Sequence, residues 1–114
     1  MIEESILINL VAELRRGTQI LAVLGQLHQG QYGYSLLQDL TAKGVLIEAG
    51  TLYPLLRRLE SQGLLKSEWD TQESRPRKYY VLSQDGEVLF KTLIQEWNNL
   101  VSDMNVILKE EKGS

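Results

Sequence analysis

Leu52, Leu55, Leu56 and Leu59 stand at i, i+3, i+4 and i+7, Gly63 follows, and the pattern then changes from a helical to a strand-like period. This switch constrains the fold more than any other feature: an amphipathic helix must lay its leucines against something, and two short strands follow it at once. The strands are predicted over residues 64–69 and 78–82, joined by the polar stretch 70–77 as a β-hairpin with a long tip. Pro76 has no N–H to give a ladder and marks that tip or an edge. Pro54 is placed in the first turn of the leucine helix, where a missing donor is not needed.

Three helices precede this unit. Ile6, Leu7, Leu10, Val11 and Leu14 make one apolar stripe of a first helix that ends near Arg15-Arg16-Gly17. Thr18 is a plausible cap for a second, whose buried face is Ile20, Leu21, Leu24 and Leu27, before Gly30 and Gly33 break the pattern. A shorter third begins near Tyr34-Ser35, carries Leu36, Leu37 and Leu40, and meets Gly44 where a left-handed C-terminal cap would stand.

A long last helix is predicted from Ser83, with Asp85 and Glu87 in its first turn, where the helix dipole favours negative charge. Leu89, Leu93, Trp97, Leu100, Met104 and Ile107 form one apolar seam, and Phe90, Ile94, Val101 and Leu108 widen it into a second. A small domain can cover one such seam, so the other requires a further surface, expected to be a second copy of the chain. The tail from Glu110 to Ser114 reads as a frayed or non-native end.

With 114 residues, 43% apolar and 24% charged, the chain has room for one domain. No cysteine is present, which removes disulfides, thiolate metal sites and thiol nucleophiles. No stretch approaches the ~20 apolar residues of a membrane span and no secretory leader is visible, so a cytoplasmic protein without a membrane partner is expected. The net charge of −3 hides an asymmetry. Residues 50–82 carry six basic side chains (Arg57, Arg58, Lys66, Arg75, Arg77, Lys78) against four acidic ones (Glu60, Glu68, Asp70, Glu73), a local +2, while residues 1–49 carry −2 and the remainder −3. Such a chain can meet phosphates with one surface and repel them with another.

Helix, helix, helix, helix, hairpin, helix contains the order of a winged helix-turn-helix, in which the helix before the hairpin enters the major groove. The leucines of that helix leave Thr51, Tyr53, Pro54, Arg57, Arg58 and Ser61 over its other side, a set of hydroxyls and guanidinium groups suited to phosphates and base edges. The bland alternative is a solvated helix face. Arg75, Arg77 and Lys78 weigh against it, since the hairpin brings them to the same side.

The run Gly33-Tyr34-Ser35-Leu36-Leu37, the run from Gly50-Thr51-Leu52-Tyr53-Pro54 to Gly63-Leu64-Leu65, and Pro76-Arg77-Lys78-Tyr79-Tyr80-Val81-Leu82-Ser83 with Gly86 together resemble the PadR family of bacterial transcriptional regulators. The resemblance spans roughly residues 18–90 in the right order and spacing. It implies a mainly α fold and a homodimeric repressor that binds a partly palindromic operator and is released by a small molecule. Carried over by position, Tyr34, Ser35, Thr51, Tyr53 and Arg57 match the family's helix-turn-helix contacts, and Arg77 and Lys78 match its wing. The single C-terminal helix resembles the shorter subgroup of the family. Residues 1–16 and 83–112 would then build the dimer around a DNA-binding unit at 17–82, through Ile6, Leu10, Leu93, Trp97, Leu100, Val101, Met104 and Leu108.

Trp97 occupies the place where that subgroup stacks planar, often cationic drugs. Its two readings are a stacking platform, with Glu96 and Asp103 complementing a cation, and a dimer-core anchor. Trp69 is expected in the core, and one of Tyr79 and Tyr80 should pack inward. No cofactor, metal site or enzyme reading survives. His28, the only histidine, is expected at a helix end without partners for a metal or triad. The adjacent pairs Glu3-Glu4 and Glu110-Glu111 point to different sides of a helix. Gly30-x-x-Gly33 is too short for a phosphate loop. The rival function is a winged-helix interaction or ligand-binding module that does not bind DNA, motivated by the acidic net charge.

Overall fold

The computed structural model describes the backbone of residues 1–113 and the side chains of residues 1–109, so the Glu110-Glu111 pair and the tail ending at Ser114 lie outside the described side chains. The elements run α1 Glu4–Arg16, α2 Gln19–Gly25, β1 Gln31–Tyr32, α3 Gly33–Ala42, α4 Ala49–Ser61, β2 Leu65–Asp70, β3 Arg77–Leu82 and α5 Gln84–Gly113. The fold is mainly helical with a small antiparallel sheet in the order β1-β3-β2.

The core sits where α2, α3, α4 and the inner face of the sheet converge. Val23, Leu24, Leu27, Leu36, Leu40, Leu52, Leu56 and Leu59 are fully buried, and Ile47, Leu65, Tyr80 and Leu82 close the cluster. Tyr80 is thus the inward member of its pair, and Tyr79 is exposed on the opposite face. The leucine pattern of α4 is met by Leu52, Leu56 and Leu59, while Leu55 is half-buried at its edge. Val23 and Ile47 join the core beyond the periodic positions expected from the sequence.

Helices α3 and α4 end alike. Gly44 and Gly63 take positive φ of 84° and 79°, and the next N–H reaches back five residues, Val45 to the Leu40 carbonyl and Leu64 to the Leu59 carbonyl, each at 2.9 Å. This left-handed closure reverses the chain within one residue and sends it from α4 straight into β2. At the start of α5 the Ser83 hydroxyl accepts from the Gly86 N–H at 3.0 Å and donates to the Gly63 carbonyl at 2.6 Å. One side chain therefore caps α5 and ties it to the end of α4.

Three expectations are corrected and one element is added. Thr18 stands at the N-cap of α2 and its carbonyl accepts from the Ala22 N–H at 3.0 Å, but its side chain gives no cap: the hydroxyl donates to the Arg15 carbonyl at 2.8 Å. Pro54 is not in the first turn of α4, which opens earlier, with the Glu48 carbonyl accepting from Thr51 and Leu52 at 2.9 and 2.8 Å. Proline there withholds a donor from the Gly50 carbonyl, which belongs to an exposed residue and is open to water. Strand β1 was not expected; two residues between glycines pair with β3 through Gln31↔Tyr80 and Tyr32↔Tyr79. Trp69 is not core: it stands opposite Lys78 toward the outer end of the hairpin and is 64% exposed.

The radius of gyration, 17.3 Å, exceeds the ~13 Å of a compact domain this long, because α1 and the outer part of α5 project from the core. α1 buries none of its side chains. Ile94, Trp97, Leu100, Val101 and Met104 are all more than a third exposed. No described helix is long and apolar enough to cross a membrane.

Candidate nucleic-acid interface

On a helix advancing about 100° per residue, Tyr53, Arg57 and Glu60 share one flank of α4, Pro54 and Ser61 lie at the middle of its outer face, and Thr51 and Arg58 share the other flank. The wing rises beside the first flank. Tyr34, Tyr53, Arg57, Arg77 and Lys78 line one concavity of about 410 Å3, with Trp69 and Tyr80 on its wing side. Ser35 lines the adjoining hollow with Tyr34, Tyr53, Arg75 and Arg77. Six of the seven residues expected to meet DNA are therefore gathered between the start of α3, one side of α4 and the wing. Thr51 is apart from them, lining a hollow with Arg16, Gly17, Pro54 and Arg58.

The polar groups of this face have defined partners. The Ser35 hydroxyl donates to the Tyr32 carbonyl at 3.0 Å, and the Tyr34 hydroxyl accepts from the Gln38 amide at 3.1 Å. Tyr53 packs over Gly33 so closely that a Cβ there would lie 2.6 Å from its ring, which holds the start of α3 against α4. Ser61 turns its hydroxyl back to the Arg58 carbonyl at 2.9 Å. Arg57, Arg58 and Arg75 are exposed and have no carboxylate partner among the described residues.

Lys78 and Arg77 differ from these three. Lys78 Nζ lies 3.1 Å from Glu60 Oε1, and the other oxygen of Glu60 accepts from the Ser67 hydroxyl. The same ammonium sits 5.7 Å from the Trp69 ring centre and 5.5 Å from that of Tyr80, within cation–π range. Arg77 is 3.4 Å from Glu73 and 3.8 Å from Asp70, with its guanidinium 4.1 Å above the Tyr32 ring. The Tyr32 hydroxyl donates to Asp70 at 2.5 Å and so ties β1 to the hairpin. The hydroxyl from Ser67, aided by Lys78, holds the Glu60 carboxyl below the usual range. Tyr32, with the Gln72 N–H and Arg77, does the same for Asp70. The Asp70 carboxylate in turn raises the Tyr32 phenol. Burial raises Tyr80.

Trp97 lies elsewhere, 41% exposed, in an apolar groove of about 660 Å3 with Leu14, Leu21, Phe90, Ile94 and Val101. Glu96 and Asp103 do not line it. His28 sits just past the end of α2, its Nδ1 2.8 Å from Glu87, edge-on to Phe90. No group of side chains suited to a metal ion occurs among the described residues. The sequence shows Glu60 among the basic residues but not its pairing with Lys78, nor that of Arg77 with Asp70 and Glu73.

Three helices closed by a hairpin, with a third strand on the hairpin's inner edge, define a winged helix-turn-helix protein. Residues 20–92 match the Transcriptional regulator PadR-like family, and the chain belongs to that family. A PadR family transcriptional regulator from Eggerthella lenta is 47% identical, with 92% of this chain and 94% of that one superposed at a TM-score of 0.89. A PadR-like transcription factor from Bacteroides fragilis is 35% identical over 87% of this chain and 98% of its own, at a TM-score of 0.71. The transcriptional regulator Rv3488 of Mycobacterium tuberculosis is 45% identical over 49 residues, which span 43% of this chain and 46% of that protein.

Proposed function

We propose that this protein is a homodimeric transcriptional repressor that binds a partly palindromic DNA operator through α3, α4 and the wing. The observation that carries the reading is the gathering of Tyr34, Tyr53, Arg57, Arg77 and Lys78 around one concavity beside α4. In this reading Tyr53 and Arg57 touch bases or nearby phosphates, Tyr34, Ser35 and Thr51 fix register on the backbone, and Arg77 and Lys78 hold the wing to DNA. Residues 1–16 and 83–112 form the dimer around the 17–82 unit. The bare apolar faces of α1 and α5, with Ile6, Leu10, Leu100, Val101, Met104 and Leu108 all more than a third exposed, supply a surface that a second copy would cover. Leu93 extends that seam into the half-buried part of α5.

Release by a planar aromatic molecule at Trp97 is supported by the apolar groove around that ring, and a dimer-core role for the same side chain by its place on the exposed seam. The rival, a winged-helix module without DNA, is favoured by the internal pairing of Arg77 and Lys78. A gel shift with the DNA upstream of the encoding gene separates the two. Sequence-selective retention that fades as salt rises supports the repressor, and absence of retention supports the module.

A further inference from the structure

We infer that Glu60 and Glu73 are internal substitutes for DNA phosphates, keeping Lys78 and Arg77 occupied in the free protein and limiting how strongly these two side chains of the wing grip DNA. The inference rests on the DNA-binding reading above. Glu60 stands on the flank of α4 that carries Arg57 and Tyr53, one and two turns further along, and this flank faces the wing, where Glu60 meets Lys78. It approaches Lys78 at 3.1 Å, the distance a phosphate oxygen would take, and Ser67 holds it there through its second oxygen. Lys78 is also confined between the rings of Trp69 and Tyr80. Arg77 is held likewise at the tip, by Glu73 at 3.4 Å with Asp70 behind.

A lysine neutralised by its own carboxylate has little charge to offer a phosphate. To bind, DNA must displace Glu60 or accept an anion beside its backbone, and either lowers affinity without regard to sequence. The restraint falls most heavily on non-specific complexes, which depend on phosphate contacts alone, whereas the operator retains the contacts of Tyr53 and Arg57 with bases. Of the carboxylates in the basic segment, Glu68 is exposed on the wing and forms no ion pair among the described residues. Its removal changes net charge equally without freeing a cation.

The test compares Glu60→Gln, Glu73→Gln and Glu68→Gln by fluorescence titration of operator and of random duplex over a range of salt, with thermal melts confirming that each variant is folded. Glu73 is 64% exposed at the tip, so its variant probes the idea free of any packing effect. Glu60→Gln is expected to bind random DNA roughly three- to tenfold more tightly, with a salt slope steeper by ~0.9 for one more phosphate neutralised, and Glu73→Gln, which leaves Asp70 3.8 Å from Arg77, to shift in the same direction by about two- to threefold. Glu68→Gln should change affinity by less than about twofold and leave the slope unaltered. Equal gains in all three variants, or weaker binding by the first two, would overturn the inference while leaving the repressor reading intact. A wild-type protein that holds no DNA at low salt would overturn both.

Discussion

A Cβ on residue 86 would lie 2.1 Å from the carbonyl oxygen of Leu64. That carbonyl also accepts from the Ser83 N–H at 3.0 Å, so it is fixed by the strand-to-helix junction and cannot step aside. The closeness of α5 to the end of α4 thus depends on the missing side chain of Gly86. Gly86→Ala is expected to lower stability by about 2–3 kcal/mol in urea unfolding followed by circular dichroism. Gly17→Ala, at a helical φ of −65° with nothing near, should raise it by ~0.4–1 kcal/mol. Equal effects would contradict this account of the junction.

Arg57 is exposed and unpaired on the α4 flank that faces the wing, which suits a contact with bases or nearby phosphates. Arg57→Ala should weaken operator binding by ~1–3 kcal/mol and relax sequence preference. Lys78→Gln should weaken binding to every sequence with little change in the salt slope, because its ammonium is already neutralised by Glu60 and its loss leaves that carboxylate bare on the same surface. Titrations of both variants on operator and random duplex check the distinction.

Acid should loosen the wing before it touches the leucine core. Glu60 and Asp70 have folded pKa values below their ordinary ones. Their contribution is therefore complete above the unfolded carboxylate range of about 4 and is lost as pH falls through the lower folded values. Tyr32 is raised, so its contribution holds below the ordinary phenol range near 10 and is lost as pH climbs through the raised value. Tyr32→Phe removes the leading cause of the Asp70 shift and should flatten the acid limb of stability against pH. Superimposable curves for the variant and the wild type would contradict the assignment.

The exposed seam of α5 predicts self-association. Leu100, 55% exposed near the middle of that seam, should tolerate aspartate in an isolated chain but not against a second copy. Sedimentation should show a dimer for the wild type and a monomer for Leu100→Asp.

The Trp97 groove predicts quenching of tryptophan emission by planar cationic dyes, diminished in Trp97→Ala. Trp69, exposed on the wing, contributes residual signal in both proteins. Undiminished quenching would remove Trp97 as a stacking platform.

What the chain reveals unaided follows the range of the forces involved. The leucines of α4, the left-handed glycines and the Ser83 start of α5 depend on neighbours a few residues away, and each is legible as a local pattern. Strand β1 is two residues long and exists only because β3 offers an edge to Gln31 and Tyr32, so no periodicity announces it. Trp69 was misplaced because an aromatic on a strand ordinarily turns inward, yet here the hairpin outruns the core beneath it. Glu60 and Lys78 are 18 residues apart, and their pairing depends on the hairpin's position beside α4. Composition showed four carboxylates among the basic residues without showing that three of them already hold Arg77 and Lys78.

The most direct measurement of the central claim is a nuclease footprint of the purified protein on the DNA flanking its own gene. The account predicts two protected half-sites about one helical turn, ~34 Å, apart, related by approximate two-fold symmetry and lost as salt rises. Absence of protection at any salt, or protection spread evenly without regard to sequence, would contradict it.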